Sequence, residues 1–536
     1  MKRVSFCLSI RFGVFMGLAL NYLTTIMITG DIKNKLDNLW DAMWSNQMTN
    51  PWIDIQQVTY LIFIKMLDDN QIKQERKIND MKANGIDVPV DESKLTFKSG
   101  DFILEIDKDH KIEVPYKNLR WSVFKEFDSR VMFDNMRDHV FPFIKSLHGN
   151  RQTAFANFMK DAQFAVTNPY ILSKMVVALS DETLGFNKKD MMGDCYEYLL
   201  SKMATSGDNG QFRTPRHIID MMVELANPTL KDTIIDPAMG SAGFLAESAK
   251  FIQTHYAKEL MNKDNNKHFH DSMFTGFDTD PDMLRIGCMN MTLHGVENPT
   301  IRYNNSLAEE YDEANKYSLI LANPPFSGSL DPETVAKSVN QISGGTKKTE
   351  LLFLSLFLRL LNTGGRCISI IPVGVINNTN ENAYTRLRKA LVEEQKLEAI
   401  IYMPAGIFLP YSNVQTGILV FTKTNSGGTD KVWLYNMEAD GFSLDQKRTS
   451  VEANDIPDIV ARWKNLAEEA NRTRYEKSFL VDKQDIVDND YVFSFNKYQL
   501  RMVEKKEYTP TSVLLKSIDD LEKEFKKIME ELNSGL

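Results

Sequence analysis

Four consecutive residues, Asn323-Pro324-Pro325-Phe326, follow the apolar run 317–322 and therefore sit where a buried strand ends. Together they form an unusual set. The Asn323 amide oxygen and the Pro324 carbonyl are two acceptors, the paired prolines stiffen the turn and cannot continue a central strand, and Phe326 offers a flat apolar face. This suits a planar group carrying an NH2, such as the exocyclic amine of adenine. That amine is a poor nucleophile because its lone pair is delocalised into the ring, and acceptors aimed at both N–H bonds draw it out. A base extruded from its stack would lie on the Phe326 ring. Taken alone, the same four residues suit equally well a proline-rich turn with Phe326 in the core.

The residues upstream favour the chemical reading. Asp232-Thr-Ile-Ile-Asp236 reads as a short buried strand, Pro237-Ala-Met-Gly-Ser-Ala-Gly243 as a turn, and 244–252 as an apolar helix. This strand, glycine turn and helix make a nucleoside-binding unit, in which Gly240 and Gly243 allow close backbone approach and the helix start presents free N–H groups. A second strand, 273–277, ends in Asp278, at the spacing where Rossmann-like folds place an acid on ribose hydroxyls. Asp280 is better placed than Asp278 to cap the helix that follows.

Apolar strands at 234–235, 273–277, 319–322, 367–371, 397–402 and 418–422 alternate with helices, which predicts an open α/β sheet with helices on both faces. Helix 351–361 is expected to end at Gly364-Gly365. Segment 327–349 shows no clear periodicity and reads as a mobile loop, with Lys337, Lys347 and Lys348 within reach of phosphate. Residues 31–185 carry amphipathic helical patterns, including 32–44 and 57–67, broken by a strand-like polar stretch at 94–115. Trp40, Trp44 and Trp52 are read there as core residues. Near the C-terminus Leu514, Ile518, Leu521, Phe525, Ile528 and Leu532 alternate at spacings of four and three, a coiled-coil-like seam that one helix cannot bury alone. The first stretch, Lys2-Arg3 followed by the apolar 4–28, is an imperfect signal peptide and a poor membrane span because Arg11 and Asn21 interrupt it. Met27 is the expected start, with 1–26 an upstream extension outside the fold.

With these motifs in place the chain resembles the modification (M) subunits of type I restriction-modification systems, which are class I N6-adenine DNA methyltransferases. The resemblance rests on Gln211-Phe-Arg-Thr-Pro215, Asp236-Pro-Ala-Met-Gly-Ser-Ala-Gly-Phe-Leu245, Gly276-Phe-Asp278, Asn305-Ser-Leu307 and Asn323-Pro-Pro-Phe326 in that order. It extends to Asn34-Lys-Leu-Asp-Asn-Leu-Trp40, Tyr60-Leu-Ile-Phe-Ile-Lys-Met-Leu67 and Thr416-Gly-Ile-Leu-Val-Phe-Thr422. It implies a Rossmann-like methyltransferase domain at 186–425, preceded by a helical N-terminal domain at 27–185 and followed by an extension at 426–509 and a partner-docking helix at 510–536. It also implies S-adenosylmethionine as cofactor, with its methionine end near Gln211, Phe212, Thr214 and Pro215. The sulfonium would lie near Asp236 and Gly240, the ribose at Asp278 and the cofactor's adenine near Asn305, with Pro237, Ser241, Gly243 and Ser306 also cofactor-binding. Asn323, Pro324, Pro325 and Phe326 would hold the target adenine. The chain departs from the family pattern at Arg213, where an aromatic is usual, at Ala242, where glycine is common, and at Asn305, where aspartate is general. These changes imply weaker or differently tuned cofactor binding, and Asn305 is equally readable as a turn residue.

Composition fits this picture. At 536 residues, 43% hydrophobic and 25% charged, the chain can bury more than one core. Its four cysteines, Cys7, Cys195, Cys288 and Cys367, show no C-x-x-C spacing, so neither a disulfide framework nor structural zinc is expected. His268 and His270 are expected in a solvated loop, and direct methyl transfer needs no metal. The net charge of −9 is awkward for unaided DNA binding, which depends on Lys and Arg neutralising phosphate, and no DNA-reading motif follows Lys423. The resemblance accordingly implies a separate specificity (S) subunit as the reader of DNA, a second M subunit and a restriction (R) subunit as further partners, no membrane, and a cytoplasmic location.

Overall fold

The computed structural model describes residues 30–44, 51–85, 95–105, 111–147, 154–181, 189–205, 213–500 and 509–535. The proposed start at Met27, the extension 1–26, Cys7, Gln211 and Phe212 lie outside the described residues.

The N-terminal part is helical as expected. Helices α1 (Gly30–Trp44), α2 (Pro51–Ala83), α3 (Pro169–Ser180) and α4 (Lys189–Thr205) dominate it, and the polar stretch forms the antiparallel hairpin β1 (Asp101–Glu105) and β2 (Lys111–Pro115). Trp40 is buried and Trp52 half-buried against the same core.

Nine strands then form one sheet. In chain order they are β3 (Ile234–Asp236), β4 (Phe274–Asp278), β5 (Thr300–Tyr303), β6 (Tyr317–Ala322), β7 (Leu361–Pro372), β8 (Lys396–Met403), β9 (Thr416–Thr422), β10 (Lys431–Asn436) and β13 (Ser478–Asp482), with the small antiparallel pair β11 (Asp440–Phe442) and β12 (Ser450–Asn454) between the last two. Their spatial order is β13-β10-β8-β9-β7-β6-β3-β4-β5. The pairs β4/β5, β3/β4, β3/β6, β6/β7 and β8/β10 are parallel; β9 runs antiparallel to both β7 and β8, and β13 antiparallel to β10. The sheet thus continues beyond residue 425, and β10 and β13 of the 426–509 extension are built onto its edge.

Alternation along the strands sends successive side chains into two cores. Ile234, Leu319, Leu321, Ile368 and Trp433 join one with helices α5 (Arg216–Ala226), α6 (Gly243–His255), α7 (Pro281–Leu293) and the helical N-terminal part. Ile235, Ile320, Ala322 and Cys367 join the other with α8 (Thr349–Leu360) and α9 (Asn382–Glu393). Among the described cysteines, Cys195, Cys288 and Cys367 are buried thiols.

Three local expectations are corrected. Helix α8 ends at Leu360, and Gly364-Gly365 lies inside β7. There the register against β6 shifts, and the pair exchanges 2.8 Å backbone hydrogen bonds with Lys423 at positive φ of Gly364. The glycines serve a bulge rather than a helix end. His268 and His270 lie in a helix, Lys263–Asp271, because the Asn262 side chain caps it by accepting from Asp264 and Asn265; the His268 ring also meets the Asp232 carbonyl at 2.9 Å. Segment 327–349 carries a helix, Lys337–Ser343, and buries Val335, Ala336 and Val339, with bridges Ala308↔Val335 and Ser329↔Lys348 tying it down. Short apolar pairs that fold over a sheet edge leave no periodicity to read. Among the described residues, no helix is long and apolar enough to cross a membrane.

Candidate active site

The parallel strands β3, β4 and β6 point their carboxyl ends to one edge of the sheet, where open α/β sheets bind ligands. Asp236 ends β3, Asp278 ends β4 and Asn323 follows β6. Residues 40 to 90 positions apart are thereby brought to one cleft.

The turn after β3 is held from both sides. Asp278 Oδ2 accepts from the Gly240 N–H at 3.0 Å and its Oδ1 from the Asp280 N–H at 2.9 Å. The Asp280 side chain in turn caps α7, accepting from Asp282 N at 2.8 Å as its position suggested. Ser306, buried after β5, donates its hydroxyl to the Pro237 carbonyl at 2.6 Å. Gly240 has φ +50° and open space where a side chain would stand. This is the cradle a ligand needs, because a Cβ would both strain the backbone and fill the space. Gly243 serves packing instead, since a Cβ there would come within 2.9 Å of Ile219. Ala242 takes the left-handed conformation at φ 60° that glycine favours.

Asp236 is 1% exposed and accepts from the Ala238 N–H at 3.1 Å. Burial pushes its carboxyl up to about 8, partly opposed by that N–H and reinforced by the Asp278 charge. Burial also raises Asp278, against the N–H groups of Asp280, Gly240 and Thr279. Two carboxyls poised this way, with no cation paired to Asp236 among the described residues, fit a ligand that carries positive charge beside a diol. Asn305 is exposed; its side chain accepts from Leu307 N at 3.3 Å, a turn contact.

The Asn323 NH2 donates to Thr214 Oγ1 at 3.0 Å, and this fixes the amide so that Oδ1 faces the other way. That oxygen is buried and meets no donor within the described protein. An unmet buried acceptor costs about 1–3 kcal/mol, so the site is completed when a donor arrives. Pro324 is buried, Pro325 exposed and Phe326 half-buried. Thr214 and Pro215 lie just before α5, whose start is anchored by His217, with Nε2 2.8 Å from Asp440 Oδ2 and its ring stacked on Phe442 at 4.7 Å.

The structure adds residues that the sequence left unnoticed. Phe408 meets Phe326 edge-to-face with ring centroids 5.5 Å apart. It lies in the loop between β8 and β9, at the same sheet edge. Tyr411 of that loop has a buried hydroxyl without a hydrogen-bond partner among the described residues, and burial pushes it up to about 12. An aromatic-bearing loop after a parallel strand was the available signal, but it required knowing that β8 runs parallel to β6. Arg213, one of the departures, is ion-paired to Glu197 of α4. Among the described residues, no group of His, Cys, Asp and Glu could hold a metal ion.

Fold and cleft define a class I methyltransferase. The chain belongs to the N-6 DNA methylase family, whose profile matches residues 187–507, and the profile of the HsdM N-terminal domain matches 32–179, so it has the domain make-up of a type I restriction-modification methylase subunit. It is 28% identical over 413 residues to the EcoEI type I restriction enzyme methylase subunit of Escherichia coli, covering 74% of this chain and 82% of that one. Over 318 residues it is 27% identical to the EcoKI methylase subunit of Escherichia coli K12, covering 56% and 59%. The solved type I methyltransferase subunit of Streptococcus thermophilus shares the fold with a TM-score of 0.64 at 20% identity, covering 87% of this chain and 98% of that one.

Proposed function

We propose that this chain transfers a methyl group from S-adenosylmethionine to N6 of an adenine flipped out of DNA, as the modification subunit of a type I complex in which a separate specificity subunit reads the target. The observation that carries the reading is the buried Asn323 Oδ1, oriented by Thr214 and left without a donor beside the Asp236 and Asp278 turn.

When bound, S-adenosylmethionine supplies an electrophilic methyl on a positively charged sulfur. Asp278 would hold the ribose diol with the acceptor capacity left after its two backbone contacts, and ionised Asp236 would offer negative charge to the positively charged end of the cofactor. Asn323 Oδ1 and the Pro324 carbonyl would accept from the target NH2 and fix the direction of its lone pair, while Phe326 would carry the base. Positioning of the amine by these residues would supply much of the acceleration. Base extrusion costs a few kcal/mol, roughly offset by stacking and the two acceptor contacts.

The helix α10 (Thr511–Ser534) is the docking surface for the specificity subunit in this reading; its six seam residues are exposed along their whole length. DNA, a second modification subunit and a restriction subunit complete the assembly, which works in the cytoplasm. The test is transfer of labelled methyl groups to DNA lacking adenine methylation, with the chain alone and with its specificity subunit. Label incorporated only with the partner supports the reading. Equal transfer by the chain alone would refute a separate reader, and no transfer under either condition would refute the reaction.

A further inference from the structure

Glu197 lies on α4, behind the cleft, with its side chain only 12% exposed. Its two carboxylate oxygens serve different halves of the site. Oε2 accepts from Arg213 Nη2, and Oε1 accepts from Asn290 Nδ2 on α7. Arg213 immediately precedes Thr214, the residue that orients the Asn323 amide. Asn290 Nδ2 also donates to the Ser241 carbonyl at 2.9 Å. Ser241 stands between Gly240 and Ala242, both left-handed, in the turn that Asp278 holds from its other side. A turn with two such residues in three needs ties from outside itself.

We infer that Glu197 is a positioning residue that joins the two halves of the cleft: it sets the segment bearing Thr214 and the turn bearing Ser241 in one register, and so couples cofactor binding to the aim of Asn323. The inference rests on the methyltransferase reading above. Its physical basis is that one buried carboxylate satisfies a guanidinium and one N–H of an amide together, so removing it takes a partner from each while the amide keeps its contact to Ser241. Burial alone would discourage its charge, but Arg213 and Arg216, helped by His294 and Asn290, hold it below the usual carboxylate range. The branches are separable. Asn290 leads to the Ser241 turn, whereas Arg213 leads to the Thr214 segment, which orients Asn323 and also borders the expected place of the cofactor's methionine end.

The experiment uses the full chain for calorimetric binding of S-adenosylmethionine, and the complex with the specificity subunit for fluorescence of 2-aminopurine placed at the target adenine. Glu197→Ala should weaken both readouts about tenfold. Asn290→Ala should weaken cofactor binding and spare the base signal, whereas Arg213→Ala should weaken the base signal together with cofactor binding. Glu197→Gln keeps an acceptor for Asn290 but loses the charge facing Arg213, so it should restore cofactor binding in part while the base signal stays low. If Glu197→Ala does not fold, the other three variants carry the test. Folded Glu197→Gln with both readouts at wild-type level would overturn the inference, as would equal loss of both readouts in every variant. A wild-type chain that binds no S-adenosylmethionine would instead overturn the methyltransferase reading, and this inference with it.

Discussion

The cleft at the carboxyl ends of β3, β4 and β6 and the terminal helix α10 both present groups that the described residues do not complete, but of opposite kinds. In the cleft the open position is a single buried oxygen, Asn323 Oδ1, surrounded by groups already fixed by backbone contacts. On α10 it is an apolar stripe, with Leu514, Leu521, Phe525 and Leu532 from 52% to 65% exposed and no buried residue on the helix. A lone polar acceptor in a rigid frame selects one small donor. A stripe of large side chains at heptad spacing selects another helix. The difference separates chemistry from assembly, and substitutions can break one without the other.

The largest effect should come from the cleft. Asn323→Ala should lower methyl-transfer turnover about a hundredfold or more, while calorimetric affinity for S-adenosylmethionine and complex assembly stay near wild type; near-normal turnover would end the role given to this residue. Next, the double substitution Leu521→Asp with Phe525→Asp places charge on the seam. It should abolish co-purification with the specificity subunit and leave cofactor binding unchanged. Retained assembly would move the docking surface elsewhere.

A smaller effect follows from Asp236. Its carboxyl lies at about 8 in the folded chain against an ordinary 3.8, so between these values the folded state holds the extra proton. The stability this proton contributes is present at low pH and is lost as pH rises through about 8. Ionised Asp236 is the form that attracts a sulfonium. Affinity for S-adenosylmethionine should therefore rise several-fold from about pH 6.5 to about pH 8, with a weaker rise for S-adenosylhomocysteine, whose sulfur is neutral. Parallel profiles for the two would remove the charge contact. The smallest change is Ala242→Gly, which relieves a left-handed alanine worth about 1 kcal/mol and forfeits a buried methyl of similar size. Thermal unfolding should shift little, and a large loss would show that the methyl packing dominates.

Local patterns revealed much of this molecule in the sequence. The strands at β3, β4, β6, β7, β8 and β9 stand where short apolar runs indicated, and Asp280 caps α7 as its place before the helix suggested. What was not legible depends on partners far along the chain. The antiparallel direction of β9, the joining of β10 and β13 to the sheet edge, and the bulge at Gly364-Gly365 are set by pairing across tens of residues. The same holds in the site. Asn323, Asp236 and Asp278 carry motifs, whereas Phe408, Asn290 and Glu197 enter through tertiary contact and have no spacing that marks them.

The most direct test of the central claim is the identity of the product. DNA methylated by the assembled complex with labelled S-adenosylmethionine would be digested to nucleosides and separated. The account predicts that the label resides in N6-methyladenine and vanishes with Asn323→Ala. Label in a methylated cytosine, or in N6-methyladenine undiminished by that substitution, would contradict it.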